Sequence, residues 1–115
     1  MNKIDLEKMF KWVKGRLGVP LINFTMDDDM FEIILEMVEE DLENHNITIT
    51  SKFNRNVIIS RLLLAESKKI IGRVRGAYGG RIIPPDDTSP KLDYEILLIE
   101  GLEERKAIYE LLLDN

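Results

Sequence analysis

Apolar side chains recur at steps of three and four residues along most of this chain, and an α-helix is the structure that places such positions on one face. The first such pattern consists of Leu6, Met9, Phe10, Val13 and Leu17. It follows a helix cap at Asn2 or Asp5 and ends before Gly18 and Pro20. Only Ile47–Thr50 alternates as a strand does, and it is too short to form a sheet without a partner. We therefore interpret it as an extended link and predict an all-α bundle of three or four helices.

A second helix is predicted to begin at a capping box formed by Thr25 and Asp28 and to end near His45–Asn46. Its predicted buried stripe is Met30, Ile33, Ile34, Met37 and Leu42. Its predicted solvated face is acidic and consists of Asp27, Asp28, Asp29, Glu32, Glu36, Glu39, Glu40 and Glu43. The short apolar link before it, residues 20–24, is expected to pack over the bundle.

The longest helical pattern extends from about Asn54 to Tyr78, and its apolar positions are Val57, Ile58, Leu62, Ala65, Ile70, Ile71 and Val74. Its glycines, Gly72 and Gly76 among them, destabilise a helix by about 1 kcal/mol each relative to alanine. They indicate either that this helix ends early or that another helix crosses it closely at a glycine. A last helix from about Asp93 is predicted to place Tyr94, Leu98, Leu102, Ile108, Tyr109 and Leu112 inside and Glu95, Glu103, Glu104 and Glu110 outside.

One long loop interrupts these helices, from Gly79 to Lys91, and it holds three of the four prolines of the chain. At about 13 residues it exceeds the usual connection of about 4 to 6, and such loops tend to be functional or disordered. Ile82 and Ile83 beside the prolines favour a loop that docks. A short β-hairpin is an alternative form of this loop.

The composition bounds the class of protein. A chain of 115 residues with 44% apolar residues fits a single domain, 1–115, and this apolar share in so small a domain suggests that partners cover part of its surface. No cysteine is present, which excludes disulfides and thiolate metal sites. No apolar run approaches the roughly 20 residues of a membrane span, and the charged N-terminal segment is unlike a signal peptide. We expect a soluble protein with no membrane partner.

Charge is unevenly distributed along the chain. Residues 1–50 contain 5 basic residues (Lys and Arg) and 11 acidic residues (Asp and Glu). Residues 51–81 contain 8 basic and 1 acidic, and residues 82–115 contain 3 basic and 9 acidic. A basic central helix therefore lies between two acidic flanks, a pattern that can close on itself or on neighbouring copies.

Residue patterns that would indicate catalysis are not found. His45, the only histidine, lies at a predicted helix end, where a structural or solvated role is expected. The run Asp27–Asp29 lacks the alternating spacing of a calcium loop, and paired glutamates such as Glu39 and Glu40 lie on faces that look solvated. We predict no enzymatic activity, no catalytic or metal-binding residues and no cofactor.

The concentrated basic patch consists of Lys68, Lys69, Arg73, Arg75 and Arg81, with Tyr78 beside it. Arg61, Lys68 and Arg75, spaced by seven, would form one row along the helix. Binding to acidic helices is the favoured interpretation because the pI is near 4.9. Binding to phosphates and a merely solvated face remain open.

Four segments together resemble the head-to-tail connector, or neck, proteins of tailed bacteriophages. They are FKWVKGRLGVP at 10–20, TMDDDMFEIILEMVEEDL at 25–42, AESKKIIGRVRGAYGGRIIP at 65–84 and IEGLEER at 99–105. Baseplate proteins of the same viruses can look similar, and a small helical nucleic-acid-binding or regulatory protein is the other alternative.

The resemblance implies a structural virion protein repeated as a homo-oligomeric ring around the DNA exit channel. It implies contacts with the portal on one side and tail or neck proteins on the other, and non-specific proximity to packaged DNA. The expected location is the neck of the virion, after assembly in the host cytoplasm. The expected subunit or portal contacts are Arg61, Lys68, Arg73, Arg75, Tyr78, Arg81, Ile82 and Ile83.

Overall fold

The computed structural model describes the backbone of residues 3–17, 27–79 and 93–114, and the side chains of residues 5–17, 27–73 and 95–114. The predicted link at 20–24 and residues 80–91 of the predicted loop, with its alternative hairpin, lie outside these residues. Gly79, predicted to begin that loop, is helical. The four helices are α1 (Lys3–Leu17), α2 (Asp28–Asn44), α3 (Arg55–Gly79) and α4 (Asp93–Leu113). No strand occurs in the described part of the chain, and the predicted all-α class is confirmed.

The ends of α2 are fixed by local hydrogen bonds. Asp27 is the N-cap, and its carboxylate accepts a hydrogen bond from the Met30 amide at 2.9 Å. The predicted capping box was therefore wrong about the capping residue, and Thr25 lies outside the described residues. At the other end Asn46 adopts a left-handed φ of 55°, and the Ile47 amide donates to the Leu42 carbonyl at 2.9 Å. This Schellman-type turn ends α2 where the sequence predicted.

α3 lies at the centre of the fold because it packs against α1, α2 and α4. Its side chains are therefore buried on several sides, and Ile59, Leu62 and Leu63 are at most 1% exposed. The predicted apolar face was wrong at Val57, which is 46% exposed. Val57 points about 100° away from the buried Ile58, toward an open hollow that it lines together with residues of α1.

α2 buries a different stripe from the predicted one. Ile33 and Met37 are 59% and 48% exposed, so that part of the prediction was wrong. The buried positions are Phe31, Ile34, Leu35, Val38 and Leu42. Two overlapping apolar rows satisfy the helical period on α2, and the row containing Phe31 is the buried one, since its ring stacks on Phe10 with centroids 5.4 Å apart. The predicted acidic face is exposed throughout.

α4 crosses α3 at a glycine. A Cβ atom on Gly101 would lie 2.6 Å from the Ala65 carbonyl oxygen and 2.7 Å from Cγ of Lys69, so the two helices approach more closely than any side chain allows. The close crossing is thus on α4, while α3 continues through Gly72 to Gly79. Leu102, predicted to be inside, is 42% exposed because Gly101, the residue before it, is the one that faces α3.

None of the helices that the structure describes is long and apolar enough to span a bilayer.

Candidate functional site

An open groove follows α1 along its contact with α3, and α4 lines the far side of one end of it. It consists of two adjoining hollows of about 490 and 460 Å³, both lined by Trp12, Arg16 and Arg61. The first hollow is also lined by Asp5, Lys8, Met9, Asn54, Asn56, Val57 and Ser60. The second is also lined by Leu64, Lys68, Glu104, Ala107 and Ile108. We call the two hollows together the Trp12 groove.

The α1 wall of the Trp12 groove is built by residues four positions apart. Lys8, Trp12 and Arg16 lie on one edge of the helix because a step of four nearly completes a turn. The Arg16 guanidinium lies over the Trp12 ring, 5.5 Å from its centroid, in a cation–π contact. Trp12 remains 38% exposed, so an aromatic surface and a fixed positive charge both face the groove.

The α3 wall begins at the start of that helix. The Asn54 side-chain oxygen accepts a hydrogen bond from the Val57 amide at 3.3 Å and so caps the N-terminus of α3. The Ser60 hydroxyl donates to the Asn56 carbonyl at 2.6 Å. With half-exposed Val57 between them, this wall offers an apolar strip edged by amide and hydroxyl groups.

The groove carries an excess of positive charge in its exposed part. Lys8, Arg16 and Arg61 are exposed. The carboxylates that line the groove are Asp5 in the first hollow and Glu104 in the second, and Glu104 contacts Lys68. Arg61 forms no ion pair with any residue that the structure describes. A guanidinium beside an indole ring can bind a carboxylate or phosphate while the ring packs against an apolar stem.

The structure brings two of the sequence-predicted site residues together, Arg61 and Lys68, which both line the second hollow. Their environments differ. The Lys68 ammonium contacts Glu104 at 2.7 Å and Glu100 at 3.3 Å, and its side chain is only 12% exposed. Burial would lower the pKa of Lys68, but the hydrogen bonds and charges of Glu104 and Glu100 outweigh burial and raise it. Lys68 therefore belongs to the packing of α3 against α4.

The remaining predicted site residues are spread more widely. Arg73 is exposed on α3, and Lys69 of the predicted basic patch is only 6% exposed, with its ammonium 3.0 Å from Glu66. The side chains of Arg75 and Tyr78 lie outside the described residues, as do Arg81, Ile82 and Ile83 entirely.

A polar cluster that the sequence analysis missed connects α2 to α4. Arg105 contacts Asp41 at 2.5 Å, and the Tyr109 hydroxyl donates a hydrogen bond to the same carboxylate. Arg105 also places its Nε 3.4 Å from Glu66 of α3. In the sequence, Asp41 is not distinguished from the solvated acids of α2. Arg105 and Tyr109 both reach it because they are four residues apart on α4 and so lie on one face. That spacing was the sequence feature from which the cluster could have been predicted.

The cluster shifts the pKa of both members of its central hydrogen bond. Burial would raise the pKa of Asp41, but hydrogen bonds from Tyr109 and Arg105, together with nearby positive charge, lower it. Burial and the hydrogen bond to Asp41 raise the pKa of Tyr109 to about 12. The described helices α2 and α4 have no backbone contact, so this cluster is a side-chain bridge between them.

His45 lies at the edge of the same cluster as the C-cap of α2. Its Nδ1 is 2.8 Å from the Asp41 carbonyl, and its ring meets Tyr109 edge to face with centroids 5.6 Å apart. No group of three or more His, Asp or Glu side chains within the described ranges could hold a metal ion.

No protein-family model, no curated protein and no solved structure matches this chain.

Proposed function

We propose that this chain is a structural subunit of a tailed-bacteriophage virion, a head-to-tail connector that forms a ring between portal and tail. The proposal starts from the resemblance of its sequence segments to neck proteins. In this proposal the ring surrounds the channel in the neck of the virion, close to packaged DNA, after subunits have assembled in the host cytoplasm.

The observation that carries the proposal is the distribution of exposed apolar side chains over all four helices. Among the residues whose side chains the structure describes, eight large ones are 38% to 64% exposed: Trp12, Ile33, Met37, Val57, Ile96, Leu102, Leu111 and Leu113. Single exposed apolar residues are ordinary, but a chain this small with such residues on every helix is suited to neighbours on several sides. A connector subunit has such neighbours, namely two copies in the ring, the portal and the tail.

The proposal retains the sequence-based role of the loop at 79–91. Arg81 would supply a charged contact, and Ile82 and Ile83 would anchor the loop, or a hairpin formed from it, on the portal or a tail protein. This assignment rests on the sequence of the loop alone.

The test is the mass of the purified chain, measured by light scattering over a concentration series with and without the portal protein of the same virus. A ring, or a monomer that joins the portal in a fixed stoichiometry, is expected. Met37→Ser and Leu113→Ser should weaken that assembly while circular dichroism stays unchanged. A monomer at every concentration that ignores the portal would count against the proposal.

A second candidate function, binding of nucleic acid, is favoured by the Trp12 groove, where an aromatic ring lies beside exposed Arg16 and Arg61. The partners of Lys68 and Lys69 weigh against it, since two of the cations in the predicted patch are neutralised within the chain. Binding to labelled DNA that weakens steeply with salt is the observation that would favour it.

A further inference from the structure

α2 carries a row of carboxylates that no residue in the described part of the chain neutralises. Glu32, Glu36, Glu39 and Glu43 are exposed and follow each other at steps of four and three, which places them in one stripe about 16 Å long. None of them forms an ion pair with a residue in the described part of the chain. We call this row the α2 acidic stripe.

The Trp12 groove has the opposite charge and a similar length. Lys8 and Arg16 are eight residues apart on α1, about 12 Å along the helix, and Arg61 extends the charge onto α3. The stacking of Arg16 on Trp12 holds one guanidinium in place, which reduces the side-chain entropy lost on binding.

No residue of the α2 acidic stripe lines the Trp12 groove in the folded chain. The groove is lined by residues of α1, α3, α4 and the link before α3, and by none of α2. A chain therefore cannot bring its own described stripe into its own described groove without unfolding α2. A second copy can, and because the two surfaces differ, the contact is head-to-tail and continues from copy to copy.

From this complementarity we infer that the Trp12 groove binds the α2 acidic stripe of the next copy. The inference rests on the proposed function and names the contact that would close its ring. The chain already uses the same chemistry internally, where Lys68 of α3 contacts two glutamates of α4. A polyanion such as DNA is less favoured as the occupant because the chain has a net charge of -5.

Charge reversal on each surface tests this contact. The groove variant Arg16→Glu/Arg61→Glu and the stripe variant Glu36→Lys/Glu39→Lys should each weaken self-association at least about tenfold, since like charges then face each other. An equimolar mixture of the two variants, and a chain carrying all four substitutions, should both regain assembly. Lys11→Glu on α1 and Glu110→Lys on α4 are matched controls on exposed residues outside both surfaces and should change little.

Trp12 supplies a second readout because it is the only tryptophan in the chain. When a second copy covers the groove, the fluorescence emission of Trp12 should shift to shorter wavelength, and acrylamide should quench that emission less. Both changes should disappear in the groove variant and return in the mixture with the stripe variant, whose groove keeps Arg16 and Arg61.

The outcomes separate this contact from the function it serves. If the unmodified chain assembles but both variants assemble as well as it does, the contact is wrong while a connector role survives. If the unmodified chain neither self-associates nor joins the portal, the proposed function itself fails. If the groove variant assembles normally and instead loses salt-dependent binding to a labelled DNA duplex, nucleic acid is the occupant and the contact is overturned.

Discussion

The crossing of α3 with α4 and the Trp12 groove use the same residue types in opposite ways. At the crossing, Lys68, Lys69 and Arg105 each contact a glutamate of the same chain, and a glycine lets the helices approach closely. In the groove, Arg16 and Arg61 lie beside an exposed tryptophan and have no such partner among the described residues. A basic residue therefore serves the fold or the surface according to which helix lies beside it.

Substitution of the glycine at the crossing should destabilise the protein most. Gly101→Val should destabilise the protein by about 3 kcal/mol or more, because its side chain would overlap the Ala65 carbonyl oxygen, which belongs to a rigid helix backbone. Urea unfolding followed by circular dichroism measures this. The control is Gly15→Ala on α1, where a Cβ meets nothing within 4 Å and helix propensity predicts a gain of up to about 1 kcal/mol. Equal tolerance at both glycines would show that the crossing is looser than described.

The side-chain bridge between α2 and α4 gives the next effect. Asp41→Asn should cost about 1 to 2 kcal/mol of unfolding free energy, since it removes the charge that Arg105 and Tyr109 contact. The pKa of Asp41 is lower in the folded protein, so its contribution is present above the ordinary value of 3.8 and is lost as the pH falls through the folded pKa. The difference between the two proteins should therefore shrink in acid. Glu40→Gln, on the exposed face, is the control.

Alkaline titration tests the same bridge from the side of α4. The pKa of Tyr109 is raised from 10.0 to about 12, so the stability that it contributes is present below pH 10 and is lost as the pH rises through about 12. Absorbance at 295 nm, compared with Tyr109→Phe, isolates its titration from that of the other two tyrosines. In Asp41→Asn the pKa of Tyr109 should move back toward 10. An unchanged Tyr109 titration in that variant would remove Asp41 as a cause.

Lys68 and Arg61 contrast the crossing with the groove on one helix. Lys68→Met should lower the unfolding free energy by about 1 kcal/mol, because it leaves Glu104 partly buried without its partner. Arg61→Met, seven residues earlier on the same helix, should change it by less than about 0.5 kcal/mol, since Arg61 is exposed. Thermal unfolding of the two variants side by side measures the contrast. Equal losses would mean that Arg61 has a partner within the fold.

The all-α class, a count of three or four helices and their approximate boundaries could be predicted from the sequence. Each helix has its own apolar period, and α2 has capping residues at both ends. The buried face was harder to predict. Ile33 and Met37 satisfy the helical period as well as Phe31 and Val38 do, and only the position of Phe10 on another helix decides between the two rows.

The charged sites were predicted in part for a similar reason. A cluster of lysines and arginines on α3 is visible in the sequence, but which of them are neutralised depends on the register of α4, which places Glu104 beside Lys68. Trp12 and Arg16 were missed as groove residues because they belong to α1, far from the basic cluster in sequence. Local periodicity carries no information on which helices become neighbours.

The glycine crossing also has a use in recognising distant relatives of this chain. On α3, the crossing uses a small residue, Ala65, with the ion pair of Glu66 and Lys69 beside it. On α4, Gly101 is followed one turn later by Arg105 and two turns later by Tyr109, which form the bridge. Written as sequence, this is A-E-x-x-K at 65–69 and G-x-x-E-R-x-x-x-Y at 101–109. Two short motifs at this separation describe one three-dimensional contact, so a search for their joint occurrence should be more selective than overall similarity between acidic helices.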